Sequence, residues 1–184
     1  MAKLSLNTAP ATQSITVSEL NAHARIDVTD ENTLATNLIV AAEAAAEEFC
    51  LSKFVTQTWD QYFDGFAEPL VLSLPPVGTV SYVHYIDADG VEQTLSTDVW
   101  EQAELLGVGI VRRKYDQSWP DVRTHPDSVI VQFSCGYGAA ASVPQPIRQA
   151  IAVHAAHFFQ FREGEQPVPE SFARLLCPHS YRTP

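Results

Sequence analysis

The sequence predicts an α+β fold, a small helical bundle core with a β-rich insertion between the second and the last long helix. Three observations predict it. Residues 16–51 carry helix signals, residues 54–137 switch to a two-residue period with aromatic and β-branched positions between turns, and residues 143–163 return to helical spacing.

A polar lead-in precedes the first helix. Thr16-Val17-Ser18-Glu19 has the S/T-x-x-E form of a capping box, in which Thr16 and Glu19 satisfy each other's backbone donors, so a short helix is expected over about 17–24. Ile26-Asp27-Val28 reads as an extended link. Thr29 or Asp30 then caps a second helix, expected over about 30–51, with acid in its first turn where the helix dipole favours it. Leu34, Leu38, Ala41 or Ala42, Ala45 and Phe49 make its apolar face, and the surrounding alanines let another helix come close. Glu43 and Glu47 stand four apart on the other side, with Glu48 alongside. Like charges at that spacing cost about 0.2–0.5 kcal/mol, so this is either a solvated acidic face or one held acidic for a use.

The middle of the chain reads as strands. Val55, Trp59 and Phe63 repeat at four-residue steps with Gln57 and Gln61 between them, one side of a strand. Residues 70–74 form a second, ended by Pro75-Pro76. Residues 80–86 and 91–95 flank Asp87-Ala88-Asp89-Gly90, whose Asp-Gly pair predicts a hairpin turn. Further strands are expected over 99–102, 109–113 and 129–135, and 117–127, with Pro120 and Pro126, is a loop carrying Trp119.

The last long helix is expected over about 144–163. Pro144 and Pro146 mark its start, because proline suits a first helical turn whose N–H groups are unpaired anyway. Ile147, Ile151, His154, Phe158 and Phe161 form its apolar stripe, and the alanine-rich second helix is its expected partner. After a break over 164–169 comes a short helix over 170–177, stopped by Pro178. Phe172, Leu175 and Leu176 are apolar at helical spacing on a piece too short to stand alone. Either it folds back onto its own core or it docks into another subunit. The expected organisation is a single domain over 1–163 and a C-terminal docking segment over 164–184.

Composition narrows the function. Hydrophobic residues at 46% and charged ones at 18% in 184 residues suit a globular domain with a sizeable core. A formal net charge of -11 with eleven Lys and Arg argues against gripping nucleic acid through its phosphates, although such a chain can surround DNA without holding it. Cys50, Cys135 and Cys177 are far apart and in no CxxC pair, which indicates neither a disulfide framework nor a zinc site and fits a reducing cytosol. The N-terminal stretch has no apolar signal-peptide core, and no run approaches the roughly 20 apolar residues of a membrane span. A soluble protein is expected, with no membrane partner.

Motifs for chemistry have plainer readings. Gly136-Tyr137-Gly138-Ala139-Ala140-Ala141 imitates a dinucleotide fingerprint, but two prolines postpone the helix and too little chain follows for a βαβ unit. Asp87, Asp89 and Asp98 lack the glycine and oxygen ligand spacing of a calcium loop. His154 and His157 have no carboxylate at metal-site spacing, so His154 is expected as a packed core histidine with one hydrogen-bond partner. No G-x-S-x-G elbow occurs. No catalytic residue, metal or cofactor is expected. Arg112-Arg113-Lys114, the one basic cluster, pairs either with the chain's own carboxylates or with an acidic partner.

The order of these features resembles the head–tail connector proteins of long-tailed bacteriophages and gene transfer agents, also called adaptor or head-completion proteins. The stretches that carry the resemblance are ITVSELNAHARID with the alanine-rich helix after it, TQTWDQYFDGF, YIDADGVEQTL, the SWP loop at Ser118, and VIVQFSCGYG leading through VPQPIRQAI into the last long helix. The resemblance implies a non-enzymatic structural virion protein at the head–tail junction, assembled in the host cytoplasm. It implies a ring, of twelve copies in the family, between the portal protein and the next connector or tail protein, through which DNA passes without specific binding. By the same resemblance Phe172, Leu175, Leu176 and Tyr181 are candidate portal-docking residues, and Glu43, Glu47 and Glu48 a candidate channel-lining or subunit-contact face. The alternatives are another virion joint, a stopper or tail-completion protein, and a small soluble enzyme, which a deep pocket with convergent ionisable groups would mark.

Overall fold

The computed structural model describes residues 3–25, 32–105, 107–161 and 167–181. The protein is α+β and divides into two compact units, one of Met1–Ala9 with Thr56–Gly136 and one of Pro10–Val55 with Tyr137–Pro184.

The second of these is helical. α1 (Val17–Ala24) starts on the expected capping box: Glu19 N–H donates to Thr16 Oγ1 at 3.2 Å and Thr16 N–H to the Glu19 carboxylate at 2.8 Å. It ends at Arg25 in a left-handed conformation, φ 55°. α2 runs Asn32–Cys50; the expected link over 26–28 and the caps Thr29 and Asp30 lie outside the described residues. Its buried stripe is Ala35, Ile39, Ala42, Ala46 and Cys50, while Leu34, Leu38, Ala45 and Phe49, expected at its centre, flank it half-buried. The stripe is therefore turned by one position. Small side chains take the middle because α3 (Gln145–Gln160) packs there, and the larger ones close the sides.

On α3 the buried residues are Ile147, Ala150, Ile151, Ala152, His154 and Ala155. The helix stops at Gln160, so Phe161 is 42% exposed and does not belong to the stripe. α4 (Glu170–Leu176) packs on α3 and on α2, and it puts Phe172 and Leu176 into the same core as Leu20, Ile39, Phe54 and Ile147.

In the other unit the described residues form eight strands in two sheets. β1 (Lys3–Thr8), β2 (Gln57–Phe63), β8 (Val129–Cys135), β4 (Val77–Ile86) and β5 (Glu92–Thr94) form one antiparallel sheet in that order. β3 (Leu70–Val71), β7 (Val108–Arg113) and β6 (Trp100–Leu105) form the other. The polar lead-in, to which the sequence assigned no element, thus contains a strand, β1. The hairpin between β4 and β5 is built as expected: the Asp87 carboxylate accepts the N–H groups of Asp89 and Val91, and Gly90 supplies φ 85°. Those hydrogen bonds, with one from Gln93 Nε2 leading, hold the Asp87 pKa below its usual value.

Two features join the strands. On β2 the face carrying Trp59 and Phe63 also carries Gln57 and Gln61, and it is the glutamines that are buried. Gln61 donates from Nε2 to the Val71 carbonyl and accepts the Ser73 N–H, both at 2.9 Å, so a buried amide stitches β2 to the segment around β3. On β7, Gly109 lies so close to β4 that an added Cβ would sit 2.5 Å from Val77 Cβ. The three tryptophans all belong to this unit: Trp59 donates to Gln57, Trp100 is buried, and Trp119 stacks on Phe66 with ring centroids 4.6 Å apart.

Candidate functional surface of the helical unit

The three glutamates of α2 diverge in what they do. Glu43 is half-buried, and its carboxylate receives the Ser14 backbone N–H at 3.1 and 3.2 Å and the Ser14 hydroxyl. Burial raises its pKa, against the lowering effect of the Ser14 hydrogen bonds. Glu47 pairs with Lys53 at 2.5 Å and accepts the Phe54 N–H at 3.1 Å. Glu48 is exposed. Two of the three carboxylates therefore anchor the segments that enter and leave the helix pair, and one faces solvent. Arg148 of α3 closes the same corner, donating to the Ser14 carbonyl at 3.1 Å and pairing with Glu19.

The C-terminal residues from Phe172 to Tyr181 are tied to the helical core. Phe172 is 5% exposed and Leu176 fully buried, while Leu175 and Tyr181 are half-buried. The Leu176 carbonyl lies 3.9 Å from Cys50 Sγ, Tyr181 N–H donates to the Cys50 carbonyl at 2.9 Å, and Ser180 Oγ reaches the Phe49 carbonyl at 3.5 Å. Tyr137 is pushed up to about 12, first by burial and then by Tyr181, with which it shares a hydrogen bond. Phe172 packs edge-on to Phe49, 6.0 Å between centroids, and lies 4.5 Å from the His154 ring.

His154 is a core histidine, 3% exposed, but among the described residues its Nδ1 has no hydrogen-bond partner, and neither does Nδ1 of His157. Burial lowers the His154 pKa, and the charge of His157 lowers it further. Among the described residues no three His, Cys, Asp or Glu side chains converge as a metal site, and no helix is long and apolar enough to cross a membrane. In the β unit, Arg112 pairs with Glu101 at 2.7 Å, Arg113 lies 3.7 Å from Glu68, and Lys114 donates to the Thr97 carbonyl at 2.8 Å. Gly136 and Gly138, at φ 109° and 123°, make a turn that a short 3-10 piece, Ala140–Ser142, carries to α3. Missed from the sequence were the partners Ser14, Lys53 and Tyr137; only the acid spacing on α2 hinted that something had to neutralise it.

No protein-family model matches the chain, and no curated protein matches it. Its fold is similar to that of chains in solved structures of a gene transfer agent particle. A chain from the neck of an empty gene transfer agent particle, computed with C6 symmetry, superposes with a TM-score of 0.83 at 21% identity over 98% of this chain and 97% of that one. A chain from the virion of the native particle gives 0.82 at 21% identity, over 98% and 96%. A third, from the native neck computed with C12 symmetry, gives 0.81 at 20% identity, over 98% and 97%. These neighbours are components of a particle neck and virion, in line with the connector resemblance.

Proposed function

We propose that the chain is a structural virion protein, an adaptor at the head–tail junction whose ring sits between portal and tail machinery and surrounds the DNA channel. The observation that carries this reading is the likeness of fold over 98% of the chain to components of a gene transfer agent neck. On this reading the adaptor is a helical bundle with the β-rich part as an insertion, twelve copies close the ring, and the chain is not an enzyme. The domain over 1–163 builds the ring, and the segment over 164–184 meets the portal. Because Phe172 and Leu176 lie in the chain's own core, that contact falls to the flank of α4 with Leu175 and to Tyr181. The net charge of -11 supports a channel wall that repels phosphate, with Glu48 its most accessible member and Glu43 and Glu47 behind it.

Electron microscopy of the protein mixed with its portal tests the reading. Rings seated on the portal are expected; rings that seat only on another neck component would instead favour a stopper or tail-completion role, and an absence of any assembly would defeat both.

A further inference from the structure

We propose that β1 is an exchangeable arm: in assembled copies of this chain, β1 of one subunit pairs with β2 of the next. The inference rests on the reading of the chain as a subunit that associates with its own copies. Among the described residues β1 lies at the edge of its sheet and pairs with β2 alone. Five of its six residues are exposed, Leu6 at 45%, and Leu4 is half-buried. Neither face of the strand is sealed into a core. What holds it is backbone pairing plus a small polar clamp: Lys3 Nζ sits 2.5 Å from Asp127 and 4.4 Å above the Tyr62 ring, and Asn7 reaches Asp60 at 3.4 Å. Tyr62 and Asp60 are on β2 and Asp127 lies just before β8, so the accepting sheet carries these recognition contacts whichever copy supplies the arm.

The chain after the strand is built for reach. Residues 9–13 are all exposed and include Pro10, and then Ser14 and Ile15 are buried, Ser14 on Glu43. Five linker residues, 9–13, span up to about 17 Å when extended. Because the contacts are the same in cis and in trans, proximity decides which β2 is taken, and a closed ring presents the neighbour's at high effective concentration. An arm passed in one direction is a head-to-tail contact, the kind that closes cyclic assemblies. The opposite edge differs. β5 has three residues and carries Glu92, features that discourage strand pairing, whereas the only charge on β1, Lys3, is already engaged.

Full-length chains in a Cys177→Ser background test this, since Cys50 and Cys135 are buried. One pool carries Ser5→Cys and another Asp60→Cys, positions paired in register, and a short bis-maleimide bridges them. A chain with both substitutions serves as the intrachain control. Mixed and assembled with the portal, the two pools should give the heterodimer as the dominant interchain product. Rings on the grid without that heterodimer would overturn arm exchange and leave the ring reading standing. The heterodimer without rings would support arm exchange and count against the ring, and neither would overturn both.

Discussion

The backbone N–H of Tyr181 donates to the carbonyl of Cys50 at 2.9 Å, which ties the last described residue of the chain to the end of α2. With Phe172 and Leu176 buried beneath it, α4 is a core element of the helical unit. Phe172→Ala should destabilise that unit by about 3–5 kcal/mol, as for other buried aromatics cut to alanine. Urea unfolding followed by circular dichroism reads it. A loss below about 1 kcal/mol, the range of ordinary surface changes, would mean that α4 is not packed in solution.

Glu43 carries a second expectation, on pH. Its folded pKa is raised above the ordinary 4.5, so the fold binds that proton more tightly than the unfolded chain does. Its contribution is present below the unfolded value and is lost as pH rises through the folded one. Glu43→Gln keeps an acceptor for Ser14 without the buried charge, and should flatten stability against pH across that window. Glu43→Ala leaves the buried Ser14 groups unpaired and should cost about 1–3 kcal/mol at neutral pH. Equal stability of the two variants would contradict this.

His154 works in the opposite direction. Its pKa is lowered, so the fold favours the neutral ring; stability is intact above the unfolded value of about 6.5 and falls as pH drops through the folded one. The denaturation midpoint of the helical unit should decline on acidification, and His154→Leu should remove much of the slope. An unchanged slope in the variant would assign it to other groups.

In the β unit, Gln61→Leu keeps the volume but strands the Val71 carbonyl and the Ser73 N–H, each costing about 1–3 kcal/mol when left buried and unpaired. Gly109→Ala should cost about 1–3 kcal/mol through overpacking against Val77. Thermal unfolding measures both, and a neutral Gly109→Ala would show that β4 and β7 separate at little cost.

Much of the fold was legible because its signals are local. Thr16 and Glu19 announce α1 through atoms three residues apart, and Asp87 with Gly90 defines its own turn. β8 was bounded at Val129 and Cys135 because a strand buried on alternate positions shows its period plainly. What escaped depends on partners far away in sequence. β1 alternates Leu4 and Leu6 with polar residues but buries too little to stand out, and its pairing with β2 crosses fifty residues or more. The acidic spacing on α2 was visible; that Ser14 and Lys53 would occupy Glu43 and Glu47 was not. Gln61 was legible as sharing a strand face with Trp59 and Phe63, but the burial of its amide makes sense only once Val71 and Ser73 are beside it.

The placement of the tryptophans has a practical side. Trp59, Trp100 and Trp119 all fall in the β unit, whereas α1, α2, α3 and α4 contain none. Indole emission therefore reports on the sheets alone, and the far-ultraviolet helical signal is dominated by the other unit. One unlabelled sample, read at two wavelengths during the same titration, tells whether the halves of this chain melt together or in turn.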